Sequence, residues 1–292
     1  IQIFDQQGTH LDTWYQFSRI SGIYIDAKDV LYAIDSESDD NYNPGWRKGL
    51  RVGNARTGEV MYFVPEHVSK QASGMGGYGS MGEGVAADAQ GNVIAGTDGS
   101  GLVYRISPAG EGFVLYSAPK KEITALALDR EGNLYVSDFG RFQVVEFDRE
   151  GRFKATFGKL GDNLGSFARP KGIAVDREGR LYVADASFNN VQIFNNQGRL
   201  LMFFGKGGDQ PGNFLLPAKV AIDYDNIEYF RRYVRPDFEV EYLVFVTSQF
   251  GRRQVNVLAY GKEKGKSYPA DSELLRRVDE RRSQETEKQR KP

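Results

Sequence analysis

Residues 168–205, ARPKGIAVDREGRLYVADASFNNVQIFNNQGRLLMFFG, restate much of residues 125–158, ALALDREGNLYVSDFGRFQVVEFDREGRFKATFG. At an offset of 47 residues about 15 of 34 positions agree, and self-similarity at a fixed period marks a repeat architecture. Weaker copies open at Gly22 (GIYIDAKDVLYAIDS), Gly84 (GVAADAQGNVIAGTD) and Lys219 (KVAIDYDN), so the unit occurs five times.

Each unit reads as a meander of four short strands. In the copy at 172 the alternation of Ile173 and Val175 gives a strand, Asp176–Gly179 a turn, and Leu181–Ala184 the return; after a longer loop, Val191–Phe194 and Leu200–Phe204 flank a second turn at Asn195–Gly198. One such meander cannot bury both faces, whereas copies arranged radially pack face against face and leave only short edges. The expectation is therefore an all-β fold, a β-propeller of four-stranded antiparallel blades.

The first residues, IQIFDQQGTHLDTWYQF, match VQIFNNQGRLLMFF and so read as the last two strands of a blade, while the final repeat stops after VNVLAYG, its third strand. Six blades with an incomplete first one are expected over residues 1–260. Residues 261–292 read as a charged, partly helical C-terminal tail, with Asp271 or Ser272 as cap and Leu274, Leu275 and Val278 as an apolar stripe.

Composition narrows the function. The chain has 292 residues and a formal net charge of −1, so no global positive field draws it to nucleic acid. With no cysteine, disulfides, thiolate metal sites and thiol nucleophiles are excluded. No run approaches the roughly 18 apolar residues of a membrane span. The chain opens at Ile1 inside a strand without an initiator methionine, which is the expectation for a processed or truncated terminus.

The motifs PKGIAVD, GRLYVAD and NNVQIF within 170–194 carry a resemblance to NHL-repeat β-propellers over roughly residues 1–260. IQIFDQQGTHLDTW and DSESDDNYNPGWRKGLRVG resemble bacterial six-bladed propellers similar to peptidyl-hydroxyglycine lyases. The part after about residue 150 resembles exported NHL proteins encoded near multihaem cytochromes. The resemblance implies a periplasmic or extracellular protein and a fold that serves lyases, lactonases and binding modules alike.

The lyase chemistry implies a zinc held by several histidines, and the chain has only His10 and His67; two cannot make a three-histidine site. The reading favoured is a noncatalytic scaffold that binds a protein, with a multihaem cytochrome as candidate partner and no cofactor of its own. The alternative is a metal-dependent lyase or a lactonase-like enzyme using the propeller's central channel.

Two insertions stand out. The 62 residues between Asp26 and Asp88, against 41 and 47 elsewhere, place extra chain near SESDDNYNPGWRKG. That connection shares a face with KQASGMGGYGSMGEG at 70–84, and Glu37, Asp39, Asp40, Trp46, Arg47, Tyr78 and Glu83 form a candidate binding face there. In the opposing reading Pro44 and Trp46 close a neighbouring blade and the acids are solvated. Asp35, Glu37, Asp39, Asp40 and Asn41 also suit calcium, a hard cation with oxygen ligands, although the loop lacks the glycine and terminal glutamate of an EF-hand.

The glycines at 74–84 read as an inter-blade connection, because an inner strand rather than a helix follows. The second insertion, NIEYFRRYVRPDFEVE at 226–241, reads as a short amphipathic helix capped by Asn226 and ended by Pro236. Phe230, Arg231, Arg232 and Arg235 are candidates there for docking on the opposite face. The recurring aspartates, Asp129, Asp138, Asp176 and Asp185 among them, read as turn fixers rather than paired catalytic acids.

Overall fold

The computed structural model describes residues 1–38, 40–65, 80–98, 101–119, 122–269, 273 and 276. Strands β1 (Gln2–Phe4) and β2 (His10–Thr13) form a two-stranded sheet. The first blade comprises β3 (Ile20–Ile25), β4 (Val30–Asp35), β5 (Gly49–Asn54) and β6 (Val60–Pro65), and the second β7 (Ser80–Ala87), β8 (Val93–Asp98), β9 (Leu102–Ile106) and β10 (Gly112–Ser117). The third comprises β11 (Ile123–Leu128), β12 (Leu134–Asp138), β13 (Gln143–Phe147) and β14 (Phe153–Phe157); the fourth β15 (Pro170–Val175), β16 (Leu181–Asp185), β17 (Asn190–Phe194) and β18 (Leu200–Phe204). The fifth has three strands, β19 (Pro217–Asp223), β20 (Phe238–Ser248) and β21 (Val255–Glu263).

Every sheet is an antiparallel meander in chain order, the arrangement expected from the repeat. The fold is a β-propeller, but of five blades and not six. β1 and β2 pair only with each other among the described residues, so they supply half a blade. By contact the chain divides into two compact units: Ile1–Asp223 with Val244–Leu258, and Tyr224–Leu243 with the residues from Ala259 onward.

The turn aspartates explain why the repeat's sequence and shape coincide. Asp176 Oδ1 accepts from the amides of Glu178 and Arg180 at 3.0 and 2.8 Å, and the amide of Gly179 donates to the Asp176 carbonyl. Asp26, Asp88 and Asp129 take the same pairs of amides in their blades. The turn closes at Gly179 with φ of +77°, a conformation that a Cβ disfavours. The fifth copy departs from this: Asp223 leads into a helical segment instead of a tight turn.

Blades are held together by apolar layers between successive sheets. Tyr32, Ile34, Leu50 and Val52 of the first blade meet Val85, Ala87, Val93 and Ala95 of the second. Ala86, Ile94 and Val103 meet Leu126, Leu134 and Val136; Ala125, Tyr135 and Val144 meet Ile173, Leu181 and Val183. The inner strands pack in the order β3, β7, β11, β15, β19, and glycine permits one approach. A Cβ on Gly172 would stand 2.5 Å from Lys219 Cα and 2.6 Å from the Ala218 oxygen.

A second periodic element escapes the four-strand reading. FGKLGDNLGSF at 157–167 recurs as FGKGGDQPGNF at 204–214. In each the closing phenylalanine folds back over the opening glycine: Phe167 and Phe214 are fully buried against the places where Gly158 and Gly205 have no side chain. The glycine run also differs from expectation, since residues 80–84 belong to β7; 70–79 lie outside the described residues. So does the tail helix, apart from Glu273 and Arg276, both helical.

Candidate binding faces

The first insertion is organised from beneath by a buried ion pair. Asp35, at the end of β4, is fully buried and accepts from the amides of Glu37 and Ser38 at 3.1 and 2.9 Å and from Arg51 at 3.3 Å. Arg51 projects from the centre of β5, flanked by Trp46 at 5.0 Å and Phe63 at 4.6 Å, and donates to the Arg47 carbonyl at 3.0 Å. Burial draws the Arg51 guanidinium below its usual range, and Asp35 opposes that shift. Arg51 crosses directly to Phe63 in the β5–β6 register, so one charged residue in an otherwise uncharged strand touches both the loop and a neighbouring ring.

The candidate residues are accordingly sorted. Trp46 lies on Arg51 with 36% of its surface exposed, Arg47 contributes its carbonyl inward and its side chain outward, and Asp40 is exposed. Glu37 is paired with Arg19 at 2.6 Å. Asp39 and Tyr78 lie outside the described residues, and of Glu83 only the backbone, in β7, is described. The loop also holds an unusual backbone: Ser18 has φ of +65° and Asn43 of +119°, and the Asn43 amide donates to Ser18 Oγ at 2.7 Å.

Of the calcium candidates, Asp39 lies outside the described residues and two others already have partners. Asp35 is committed to two amides and a guanidinium, and Glu37 to Arg19. Among the described residues no group of three or more His, Asp or Glu is arranged to hold a metal ion. His10 opens β2, is exposed, and shares a 2.7 Å hydrogen bond with Thr13; His67 lies outside the described residues.

On the second insertion the helical segment is shorter than expected. α1 (Ile227–Phe230) gives way to a 3-10 turn over Arg231–Tyr233, Asn226 makes no side-chain cap, and the helix ends before Pro236 is reached. No residue of it is buried, so the amphipathic stripe of Ile227, Phe230 and Val234 does not seat in a core. Arg231 pairs with Glu228 at 2.6 Å, Arg235 with Glu263 at 3.0 Å, and Arg232 lies over Tyr229 and Tyr233 at 5.2 and 4.9 Å. Phe230 meets Tyr229 edge to face at 5.0 Å.

Sequence reasoning missed the hollows among the first-to-second-strand turns. One of about 480 Å³ is lined by Tyr24, Asp26, Lys28, Asp88, Gln90, Asp129, Arg130, Glu131 and Arg149 among others. A second of about 390 Å³ holds the ion pair of Glu146 and Lys154, 2.6 Å apart, beside Tyr135. The signal was available: the opening aspartate of each turn repeats, whereas the middle residues change from Ala27-Lys28 to Ala89-Gln90 and then to Arg-Glu at 130–131 and 177–178.

Three tyrosines and a lysine in or beside these hollows are shifted upward. Burial raises Tyr24 and pushes Tyr32 up to about 12, and burial followed by Glu146 raises Tyr135 further. Lys154 is raised by its bond to Glu146. Each shift moves its group away from neutral pH, the reverse of what a poised general acid or base requires.

Residues 167–194 match the NHL repeat. The match covers β16 and β17 and the turn of Asp176, the segment with the clearest repeat. No curated protein matches the chain.

Among solved structures the chain is similar to an auxiliary nutrient binding protein from Bacteroides ovatus, with a TM-score of 0.57 and 15% identity over 85% of this chain and 56% of that one. It is also similar to a catalytically inactive virginiamycin B lyase from Staphylococcus aureus with quinupristin (TM-score 0.53, 14% identity, 86% of this chain and 73% of that one). A third is a gluconolactonase from Xanthomonas campestris (0.53, 15% identity, 78% and 68%). The chain thus spans little more than half the length of the Bacteroides protein. At these identities the likeness is one of fold.

Proposed function

We propose that this chain is a noncatalytic, exported NHL propeller that binds a protein through the loop face carrying Glu37, Asp40, Trp46 and Arg47. The observation that carries the reading is the seat of Trp46. Its ring is held on a guanidinium that is itself buried, paired and hydrogen-bonded, so an aromatic residue is presented with little side-chain entropy left to lose on association. Charges of both signs surround it, as at the rim of a protein interface.

The shifts of Tyr24, Tyr32, Tyr135 and Lys154 run away from neutral pH, which supports a binding reading over the lyase or lactonase alternative. The nutrient-binding neighbours support export and a binding role; the lyase and gluconolactonase neighbours share the fold without the metal-holding residue groups being placed here. The resemblance of the second part to propellers encoded near multihaem cytochromes makes such a cytochrome the first partner to test, with this chain as scaffold rather than haem carrier.

Native purification with quantitative mass spectrometry, wild type against Trp46→Ala, tests the reading. A partner held by the wild type and weakened roughly 30-fold by the variant is expected of an aromatic hot spot. Recovery of the wild type as a free monomer, or an undiminished partner on the variant, contradicts it. Stoichiometric metal retained through chelation would restore the enzyme alternative.

A further inference from the structure

The two ends of the blades treat their cations differently. At or beside the turns between first and second and between third and fourth strands, Arg105, Arg149, Arg152, Lys154 and Arg180 each hold a carboxylate at 2.5–3.1 Å. At the opposite end Arg141, Lys159, Arg169, Lys171, Lys206 and Arg252 form no ion pair among the described residues. All but the half-buried Lys171 are exposed.

These six residues come from a few connecting segments. Residues 139–142 and 249–254 join the second and third strands of the third and fifth blades, and 158–171 and 205–219 lead into the starts of β15 and β19. Together the four segments hold eight Lys or Arg against two Asp or Glu, in a chain whose net charge is −1. The sequence FGR recurs within them, at 139–141 and 250–252, so two blades present an arginine from the same kind of loop.

Contacts between the connections make one surface of them. Arg169 lies over the Phe139 ring at 6.0 Å, which joins the third blade's loop to the segment leading into the fourth. The Ala186 amide donates to the Arg169 carbonyl at 2.9 Å, the Leu216 amide to Asn189 Oδ1 at 2.9 Å, and the Gln249 amide to the Leu216 carbonyl at 3.1 Å. Asp209, one of the two acids, already accepts from the Arg252 amide at 3.2 Å. Like charges gathered in this way raise the energy of the free surface and draw an opposite one to it. The first blade's loop at this end carries Glu37 and Asp40 instead, so the positive stretch is bounded and is not the continuous track that a nucleic-acid backbone follows. Phe250, 61% exposed beside Arg252, adds an aromatic anchor of the kind protein interfaces use.

We propose that this surface docks an acidic protein, whose carboxylates take the places that the chain's own acids fill at the other end of the blades. The inference rests on the reading of this chain as a protein-binding propeller and names the chemistry of the partner, but it does not depend on Trp46. Arg169 belongs to the middle segment, with its ring contact to Phe139 and its amide bonded to Asp185 Oδ2 at 3.0 Å. Together with Lys171 it forms the centre of the contact.

The test titrates the whole chain with a fluorescent peptide of about ten glutamates and, in parallel, with a single-stranded RNA of equal charge, read by anisotropy at about 50 and about 200 mM salt. Saturable binding of the peptide is expected, weaker by at least about tenfold at the higher salt. Arg169→Glu combined with Lys171→Glu should weaken it at least about tenfold at the lower salt. Lys206→Glu combined with Arg252→Glu, both exposed, makes the same comparison should the first pair not fold. Arg130→Glu, at the other end of the blades, should change the affinity less than about twofold, and Trp46→Ala should leave it unchanged. Absence of saturable binding, an undiminished affinity in folded charge-reversal variants, or an equal loss on Arg130→Glu would overturn the proposal. So would tighter binding of the RNA, because a nucleic acid would then be the occupant. A peptide that fails to bind while Trp46→Ala still releases the wild type's partner would sink this inference and leave the proposed function standing.

Discussion

The fourth blade and the first are built on the same unit and finished differently. In the fourth, the turn aspartate, the buried inner strand and the phenylalanine folded over glycine all agree with the repeat, and Ile173, Leu181 and Val183 are covered by the blade before it. In the first, a buried Asp35–Arg51 pair supports an inserted loop with strained backbone, and the inner strand is half uncovered. The difference teaches how far local pattern carries: agreement with the repeat marks the packed scaffold, and departures from it mark where the proposed recognition would have to lie.

The largest effect expected is at Gly172, where the next inner strand leaves no space for a side chain. Gly172→Val should cost more than about 4 kcal/mol or prevent folding, whereas Gly179→Ala, with a positive φ but nothing within 4 Å, should cost about 1–2 kcal/mol; urea denaturation of the two variants would compare them. If the costs were alike, close approach of inner strands would not be what holds the blades.

Arg51→Ala sharpens the other side of the comparison. It leaves the carboxylate of Asp35 buried and without its cation, for an expected loss of about 3–5 kcal/mol by chemical denaturation. A loss near zero would mean that the first blade's loop is not held from beneath. Phe167→Ala removes a buried ring that meets Phe194 edge to face at 5.6 Å and should cost about 3–5 kcal/mol as well. Phe153→Ala, exposed on β14, should stay within about 0.5 kcal/mol.

The smallest effect is in the pH profile. Asp138 is raised by burial, against the hydrogen bond from Tyr116 at 2.8 Å. A carboxyl whose folded pKa lies above its ordinary 3.8 takes up its proton first in the folded state, so its contribution to stability grows as pH falls from the raised value toward the ordinary one. Asp138→Asn abolishes that gain, and its Tm should fall more steeply than the wild type's across that acid window. Parallel profiles would contradict the assignment.

Most of the fold was legible because the repeat is written in local chemistry. The D-x-x-G turns, the alternation of Ile173 and Val175, and the return strand at Leu181 are short-range signals, and the structure reproduces each within a residue or so. The blade count was not legible: IQIF and HLDT announce two strands correctly, but nothing local states whether further strands pair with them. The helix at 227 was overestimated because spacing alone does not supply a core to seat Phe230. Trp46 and Arg47 were found in the inserted loop, yet Arg51, which touches both, was missed because an arginine between Leu50 and Val52 reads as an ordinary exposed strand position until Phe63 is seen across from it and Asp35, two places along β4 from its partner Ala33, is seen to reach its guanidinium. The hollows depend on turns about 40 to 60 residues apart converging, which periodicity implies but does not populate.

Native-state hydrogen exchange tests the contrast between the two blades most directly. The account predicts that amides of β12 and β16 exchange only through global unfolding, while those of β1 and of Ile23–Ile25 exchange through local opening, at least about tenfold faster than their counterparts in β11 and β15. Equal protection of β3 and β15 in the isolated chain would contradict it, because the face of Ile23 and Ile25 would then already be covered.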